Sequence, residues 1–186
     1  MRSIVPLFAL AFAAAAPAIA SETVSVPRFR QVELRGGGNV VVRPGPVQRV
    51  ILVEGSTQFT SIRVEREGRL RIDTCNERCP DHYRMRVEIQ TPDIPDLAIQ
   101  GGGAIGVAPG FGAGDLSAAV NGGGKIDARN VDAGSVSAAV NGGGDITVRA
   151  RSTLSAAING GGIVHYLGNP QVSSAIHGGG LVRAAN

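Results

Sequence analysis

The sequence is dominated by a glycine triplet that returns at nearly regular intervals. The last five triplets are separated by 21, 20, 18 and 18 residues. The six triplets begin at Gly36, Gly101, Gly122, Gly142, Gly160 and Gly178. A period near 20 residues is typical of repeat proteins, in which each repeat buries its apolar edge against its neighbours. Because glycine costs about 1 kcal/mol relative to alanine inside a helix, the pattern argues against a helical bundle.

The residues before each triplet alternate between apolar and small or polar side chains. The segment Leu116-Ser-Ala-Ala-Val-Asn realigns with segments that begin at Val136 and Leu154. Alternation with a period of two is typical of a strand with one buried face. A second short strand follows each triplet, with an expected inward column of Ile105, Ile126, Ile146, Val164 and Val182. Since glycine permits a sharp bend between two strands, each repeat is predicted to be one coil of a parallel β-helix.

An asparagine or a histidine precedes four of the triplets at the predicted corner. These residues are Asn121, Asn141, Asn159 and His177. Side chains stacked in this way can hydrogen-bond as an amide ladder. We interpret the column as structural, with ligand binding as the alternative, because asparagine is common in turns. The triplets lack the Gly-Lys-Ser/Thr ending of a phosphate-binding loop.

The first half of the chain is predicted to be β-rich but less regular. Residues 21–91 form this half and residues 97–186 the regular repeats, and both are expected to share one domain. Glu67-Gly68 lies between two short alternating segments and predicts a tight hairpin. About 70 residues on either side would be marginally stable alone, which favours a single core.

The first 20 residues are typical of a secretory signal peptide. Arg2 precedes an apolar run, and Ala18-Ile-Ala20 fits the small-residue cleavage pattern. The alternative is a retained membrane anchor, although the run is barely long enough to span a bilayer and contains two prolines. The prediction is therefore an exported chain that begins at Ser21.

The net charge of +3 is small, and the arginines alternate with apolar residues, as in Arg69-Leu-Arg-Ile. This pattern indicates the solvated face of a strand, whereas a nucleic-acid site requires a denser basic patch. No nucleic-acid partner is predicted.

The two cysteines, Cys75 and Cys79, are predicted to form a disulfide, because an even pair in an exported protein is most simply oxidised. The alternative is a metal site completed by His82, but this set lacks a fourth protein ligand. No metal or cofactor is predicted.

Residues that could carry out chemistry are few. Asp127, Thr147, His165 and Arg183 are expected in one outward column, and Lys125 and Asp145 in another. A glycosidase requires two carboxyl groups facing a substrate, but Asp127 and Asp145 fall in different columns. A surface pair between Lys125 and Asp145 is the simpler interpretation. No catalytic residue is predicted.

A strip of small side chains is the remaining candidate site. The expected outward column is Ser117, Ser137, Ser155 and Ser173, beside a parallel column of alanines. This strip is a candidate binding surface for a protein or a glycan. The alternative is a smooth face covered by another segment of the chain.

Several motifs resemble the exported bacterial domain known as the autotransporter adhesin head (GIN) domain. They are Phe29-Arg-Gln-Val-Glu-Leu34, Gly68-Arg-Leu-Arg-Ile72 and the Asn/His-Gly-Gly-Gly repeats, and together they cover about residues 24–184. The resemblance implies a single-stranded right-handed β-helix, a cell-envelope setting and no known catalytic residues.

The expected function is therefore that of a non-catalytic envelope protein, periplasmic or secreted, that presents a surface for binding, adhesion or assembly. Its expected partner is a protein or a glycan, and it could act as an oligomer. The alternative is a carbohydrate-active protein that binds or cleaves a polysaccharide on the same scaffold.

Overall fold

The computed structural model describes residues 21–76, 78–112 and 114–185, so the predicted signal peptide lies outside the described residues. The all-β prediction is confirmed, since the described residues form 15 strands and one short 3-10 turn. The strands are β1 Glu22–Val24, β2 Gln31–Gly36, β3 Asn39–Pro44, β4 Arg49–Glu54, β5 Ser61–Glu65, β6 Arg69–Asp73, β7 Arg86–Thr91, β8 Asp96–Gly101, β9 Ala104–Val107, β10 Leu116–Gly122, β11 Lys125–Gly142, β12 Asp145–Gly160, β13 Ile163–Leu167, β14 Gln171–His177 and β15 Leu181–Ala184. The 3-10 turn is Arg66–Gly68.

All 15 strands belong to one sheet with both parallel and antiparallel neighbours. One path through it runs β1-β4-β7-β3-β9-β11-β10-β8-β2-β6-β5, and β12 to β15 continue from β11. The pairs β1–β4, β4–β7 and β5–β6 are antiparallel. The buried faces of the strands share one cluster of apolar side chains. The sheet is therefore mixed, curled and nearly closed, like a barrel.

The predicted single-stranded right-handed parallel β-helix is wrong. Antiparallel pairs at both ends of the sheet path overturn it, as does the 18-residue strand β11, which pairs with β9 along one part and with β10 along another. The physical reason is that apolar alternation determines which face of a strand is buried. It does not determine which strand lies alongside, or in which direction that strand runs.

The repeats lie side by side in parallel and in register. Val120 pairs with Val140, which pairs with Ile158, and the glycine triplets align with one another. The residues expected in the inward column are also register partners. Ile105, Ile126, Ile146 and Val164 are 0–1% exposed, whereas Val182 at the end of the column is only partly buried. The period-two pattern thus predicted the buried face correctly.

The hairpin predicted at Glu67-Gly68 is confirmed. β5 and β6 pair antiparallel around it, and Glu67 and Gly68 adopt φ angles of 69° and 74°. Because Glu65 and Arg69 are register partners, the loop consists of the three residues Arg66–Gly68, and hairpin loops of this length commonly contain a left-handed residue. The core cluster includes residues of both chain halves, while the division into a signal segment and one domain stays a prediction.

Candidate functional site

The serine column predicted as a binding strip lies on the solvent face of the sheet. Ser117, Ser137, Ser155 and Ser173 are successive register partners on β10, β11, β12 and β14, and all four are exposed. Ser117, Ser137 and Ser155 each follow a buried residue in their strand, because side chains alternate between the two faces of a sheet, whereas Val172 before Ser173 is exposed. Neighbouring strands lie about 4.8 Å apart, so the column presents evenly spaced hydroxyl groups.

Three serines of the column line a groove of about 330 Å³, which we call the serine groove. Its hydroxyl groups belong to Ser117, Ser135, Ser137, Thr153 and Ser155. Its carboxylates belong to Asp96 and Asp115, and Asp115 accepts a hydrogen bond of 3.2 Å from the Ser135 amide. Hydroxyl groups both donate and accept hydrogen bonds, whereas ionised carboxylates only accept. The serine groove can therefore bind a ligand that carries several hydroxyl groups.

Asp96 and Asp115 were not singled out from the sequence. Asp96 precedes Leu97, the register partner of Ala118, and so occupies the position that Ser117 has in the next repeat. Aligning the repeats therefore places Asp96 in the serine column, but a column defined by serine alone leaves this aspartate out. Asp115 lies just before β10, outside the alternating segment, and only the structure brings it to the groove.

A second depression of about 280 Å³ continues the surface from Asp96 and Ser117 towards Glu33 and Arg69. Glu33 is only 4% exposed although it lies on the outward face. Its carboxylate is 3.7 Å from Arg35 Nε and 3.5 Å from an Arg69 guanidinium nitrogen. A buried charge is tolerated only when it is paired, so the two arginines balance this carboxylate.

An ion-pair network lies beyond Glu33 on β5 and β6. Arg71 contacts Glu65 at 2.9 Å and Asp73 at 3.0 Å, and Arg63 also contacts Asp73 at 2.9 Å. The hydrogen bond to Asp73 raises the pKa of the Arg71 guanidinium above its ordinary value, although desolvation opposes this change. The arginines that the sequence placed on a solvated strand face are thus held by neighbouring acids.

The polar corner column is in register but lacks a hydrogen-bonded ladder. Asn121, Asn141, Asn159 and His177 are successive register partners and are exposed. In the described part of the chain, no hydrogen bond joins two of these side chains. Their structural role stays a prediction.

The candidate catalytic residues lie on the other flank of the sheet. Asp127, Thr147, His165 and Arg183 are register partners, as are Lys125 and Asp145. The Asp145 carboxylate lies 3.8 Å from His165, between Oδ2 and Nε2, and no ion pair joins it to Lys125 among the described residues. Arg183 Nε donates to His165 Nδ1 at 3.4 Å.

Asp127 is paired with Arg129 at 2.8 Å, and its hydrogen bond raises the pKa of the Arg129 guanidinium. Each candidate carboxylate therefore lies beside a cationic or basic side chain. A glycosidase instead needs an acid and a second carboxylate that both face the substrate.

The predicted disulfide is confirmed. Cys75 and Cys79 are bonded to each other, with their Cα atoms 6.0 Å apart. Neither thiolate is then free to bind a metal together with His82. Within the described ranges, no group of three or more His, Cys, Asp or Glu residues could hold a metal ion.

Replacing both Cys75 and Cys79 by Ser is expected to lower the free energy of unfolding by about 2 kcal/mol, because the disulfide closes a short loop in the unfolded chain. Urea unfolding of the oxidised wild type and the double variant measures the difference. Reductant should destabilise the wild type by the same amount and leave the double variant unchanged. A double variant as stable as the oxidised wild type would contradict the expectation.

The family model described as "Putative auto-transporter adhesin, head GIN domain" matches residues 110–170. The GIN-domain resemblance is confirmed for this segment. The GIN segment contains Asp115, Ser137 and Ser155, so most of the serine groove lies within it. No curated protein matches the chain.

Several solved structures resemble the fold at low sequence identity. One is described as a putative adhesin from Bacteroides fragilis NCTC 9343, with 18% identity, a TM-score of 0.48 and coverage of 89% of this chain and 96% of that one. A putative adhesin from Parabacteroides merdae ATCC 43184 has 13% identity, a TM-score of 0.42 and coverage of 90% and 96%. A putative cell adhesion protein from Clostridium sporogenes ATCC 15579 has 11% identity, a TM-score of 0.38 and coverage of 89% and 98%.

Among the residues that the structure describes, no helix has the length and apolar character needed to cross a bilayer.

Proposed function

We propose that this chain is an exported, non-catalytic protein of the cell envelope that binds a glycan in the serine groove. The observation that carries the proposal is the alignment of Ser117, Ser137 and Ser155 with Asp96 and Asp115 along one groove. Sugar hydroxyl groups can donate to the carboxylates and exchange hydrogen bonds with the serines. Hydrogen bonds to ionised groups are stronger than neutral ones, so the two aspartates orient the ligand.

Two further observations support the proposal. The family description of the GIN segment names an adhesin head, a role that consists of binding without chemistry. The candidate carboxylates on the other flank, Asp127 and Asp145, lie beside Arg129 and His165. Export requires that residues 1–20 act as a signal peptide, and mass spectrometry of the secreted protein would then find Ser21 at its N-terminus.

The binding test begins with a glycan array probed with the mature protein, followed by calorimetric titration of the best ligand. Ser137→Tyr fills the middle of the serine groove and is expected to weaken binding at least tenfold, or about 1.4 kcal/mol. The matched control is Ser25→Tyr, at an exposed serine outside the groove, which should bind like the wild type.

Two results would contradict the proposal. One is equal binding by Ser137→Tyr and the wild type, since the ligand would then lie elsewhere. The other is turnover of a purified polysaccharide that is abolished by Asp127→Ala or Asp145→Ala, since the protein would then be an enzyme.

A further inference from the structure

The repeat array ends in two strands that are paired on one side only. β14 pairs with β12, and β15 pairs with β13, and neither has a second neighbour among the described strands. A strand at a sheet edge presents a row of unpaired amide and carbonyl groups that can accept another strand.

At this edge, the last apolar residues of the buried columns are exposed to solvent. Val172 and Ile176 are each 41% exposed, although their register partners Leu154 and Ile158 are 1% exposed. Leu181 on β15 is 52% exposed. In the preceding repeat the next strand covers the equivalent positions, so this edge has the apolar pattern of an interior strand.

The β14 part of this edge lacks the features that usually prevent sheet edges from pairing, whereas β15 contains Arg183. The seven residues of β14 include no Lys, Arg, Asp, Glu or Pro. By contrast, β1 is three residues long and contains Glu22, and β5 contains Arg63 and Glu65. Short length and charge are the common protections of edge strands.

We propose that β14 pairs with β14 of a second copy of this chain, antiparallel and related by a twofold axis at Ser174. In the sequence Val-Ser-Ser-Ala-Ile, the two large apolar residues lie at equal distances on either side of Ser174, and the residues between them are small. In this register Val172 lies opposite the partner's Ile176, and Gln171 lies opposite the partner's His177. The two small residues Ser173 and Ala175 also face each other, and no two side chains of like charge meet, so the same patch serves both copies.

Cysteine cross-linking tests the register. In Ser174→Cys the two thiols lie directly opposite, where Cα atoms in an antiparallel pair are about 4.5–5.5 Å apart, within reach of a disulfide. In the matched Ser173→Cys variant the two positions are offset along the strands, and their Cα atoms are about 8 Å apart, beyond that reach. Cys75 and Cys79 are already bonded to each other, so each variant carries one free thiol.

Under mild oxidation we expect Ser174→Cys to become a covalent dimer at least tenfold faster than Ser173→Cys. Equal rates would overturn the proposed register, because a non-specific collision does not distinguish the two positions. Near-ultraviolet circular dichroism of both reduced variants checks that each is folded like the wild type.

Sedimentation equilibrium of the wild type tests the dimer itself. We expect a concentration-dependent monomer–dimer equilibrium that Ile176→Lys shifts to monomer. Ala157→Lys adds the same charge to an exposed position on the interior strand β12 and should leave the equilibrium unchanged. A wild type that stays monomeric at every concentration, or a dimer unaffected by Ile176→Lys, would overturn the proposal.

Discussion

Replacing Gly142 or Gly144 by Ala is expected to destabilise the protein by about 2–5 kcal/mol, whereas Gly143→Ala should change the free energy of unfolding by less than about 0.5 kcal/mol. Gly142 has a φ of +121°, and an added Cβ would lie 2.7 Å from the carbonyl oxygen of Gly122. That oxygen belongs to the backbone of the neighbouring repeat and cannot move away cheaply.

The third glycine of the triplet is restricted by packing instead of φ. A Cβ at Gly144 would overlap a methyl group of Val120 and would lie 2.9 Å from the Gly124 carbonyl oxygen. The middle glycine has no heavy atom within 4 Å of the same position and makes a matched control. Overpacking a core costs about 1–3 kcal/mol, and residues in sparsely populated backbone regions add about 1–3 kcal/mol.

Urea unfolding followed by circular dichroism gives the three free energies. Amide hydrogen exchange adds a local readout, because loosened contacts between the two repeats would expose amides near both triplets. If Gly143→Ala proved as destabilising as Gly142→Ala, the cost would come from replacing any glycine of the triplet and not from a steric clash with the neighbouring repeat. The proposed close approach of the repeats would then be wrong.

Ile158→Ala is expected to destabilise the protein by about 2–5 kcal/mol, while Ile176→Ala should cost less than about 1 kcal/mol. The two isoleucines are register partners in adjacent strands, and they are 1% and 41% exposed. The removed atoms are the same in both variants. The difference in cost therefore reports how much apolar surface each position has removed from water.

Urea unfolding in dilute solution gives both values, with the protein kept at the lowest concentration that the assay permits. The comparison also bears on self-association, since a dimer through β14 would make the cost of Ile176→Ala rise with protein concentration. Equal costs in dilute solution would mean that the edge position is already covered within one chain.

Repeat alignment was the most informative part of the sequence. It predicted which residues share a column, including Ser117, Ser137 and Ser155, because identical segments stack most simply with identical positions side by side. It also identified the buried face through Ile126 and Ile146. The Cys75–Cys79 bond followed from the even number of cysteines and the export prediction.

The arrangement of the first half could not be derived in the same way. The neighbours of β4, Arg49–Glu54, are β1 and β7, which are distant in sequence and antiparallel to it. The burial of Glu33 likewise depends on Arg35 and Arg69, and these residues come together only when β2 and β6 pair.

Local chemistry along the chain thus determined the strands, their buried faces, the glycine corners and the serine column, since each depends on backbone freedom or side-chain alternation over a few residues. The tertiary structure decided the mixed, nearly closed sheet in place of a β-helix, the place of Asp115 at the serine groove and the exposed edge at β14. These features depend on which strands pair over long sequence distances. That choice is governed by the balance of burial over the whole core, which no local pattern encodes.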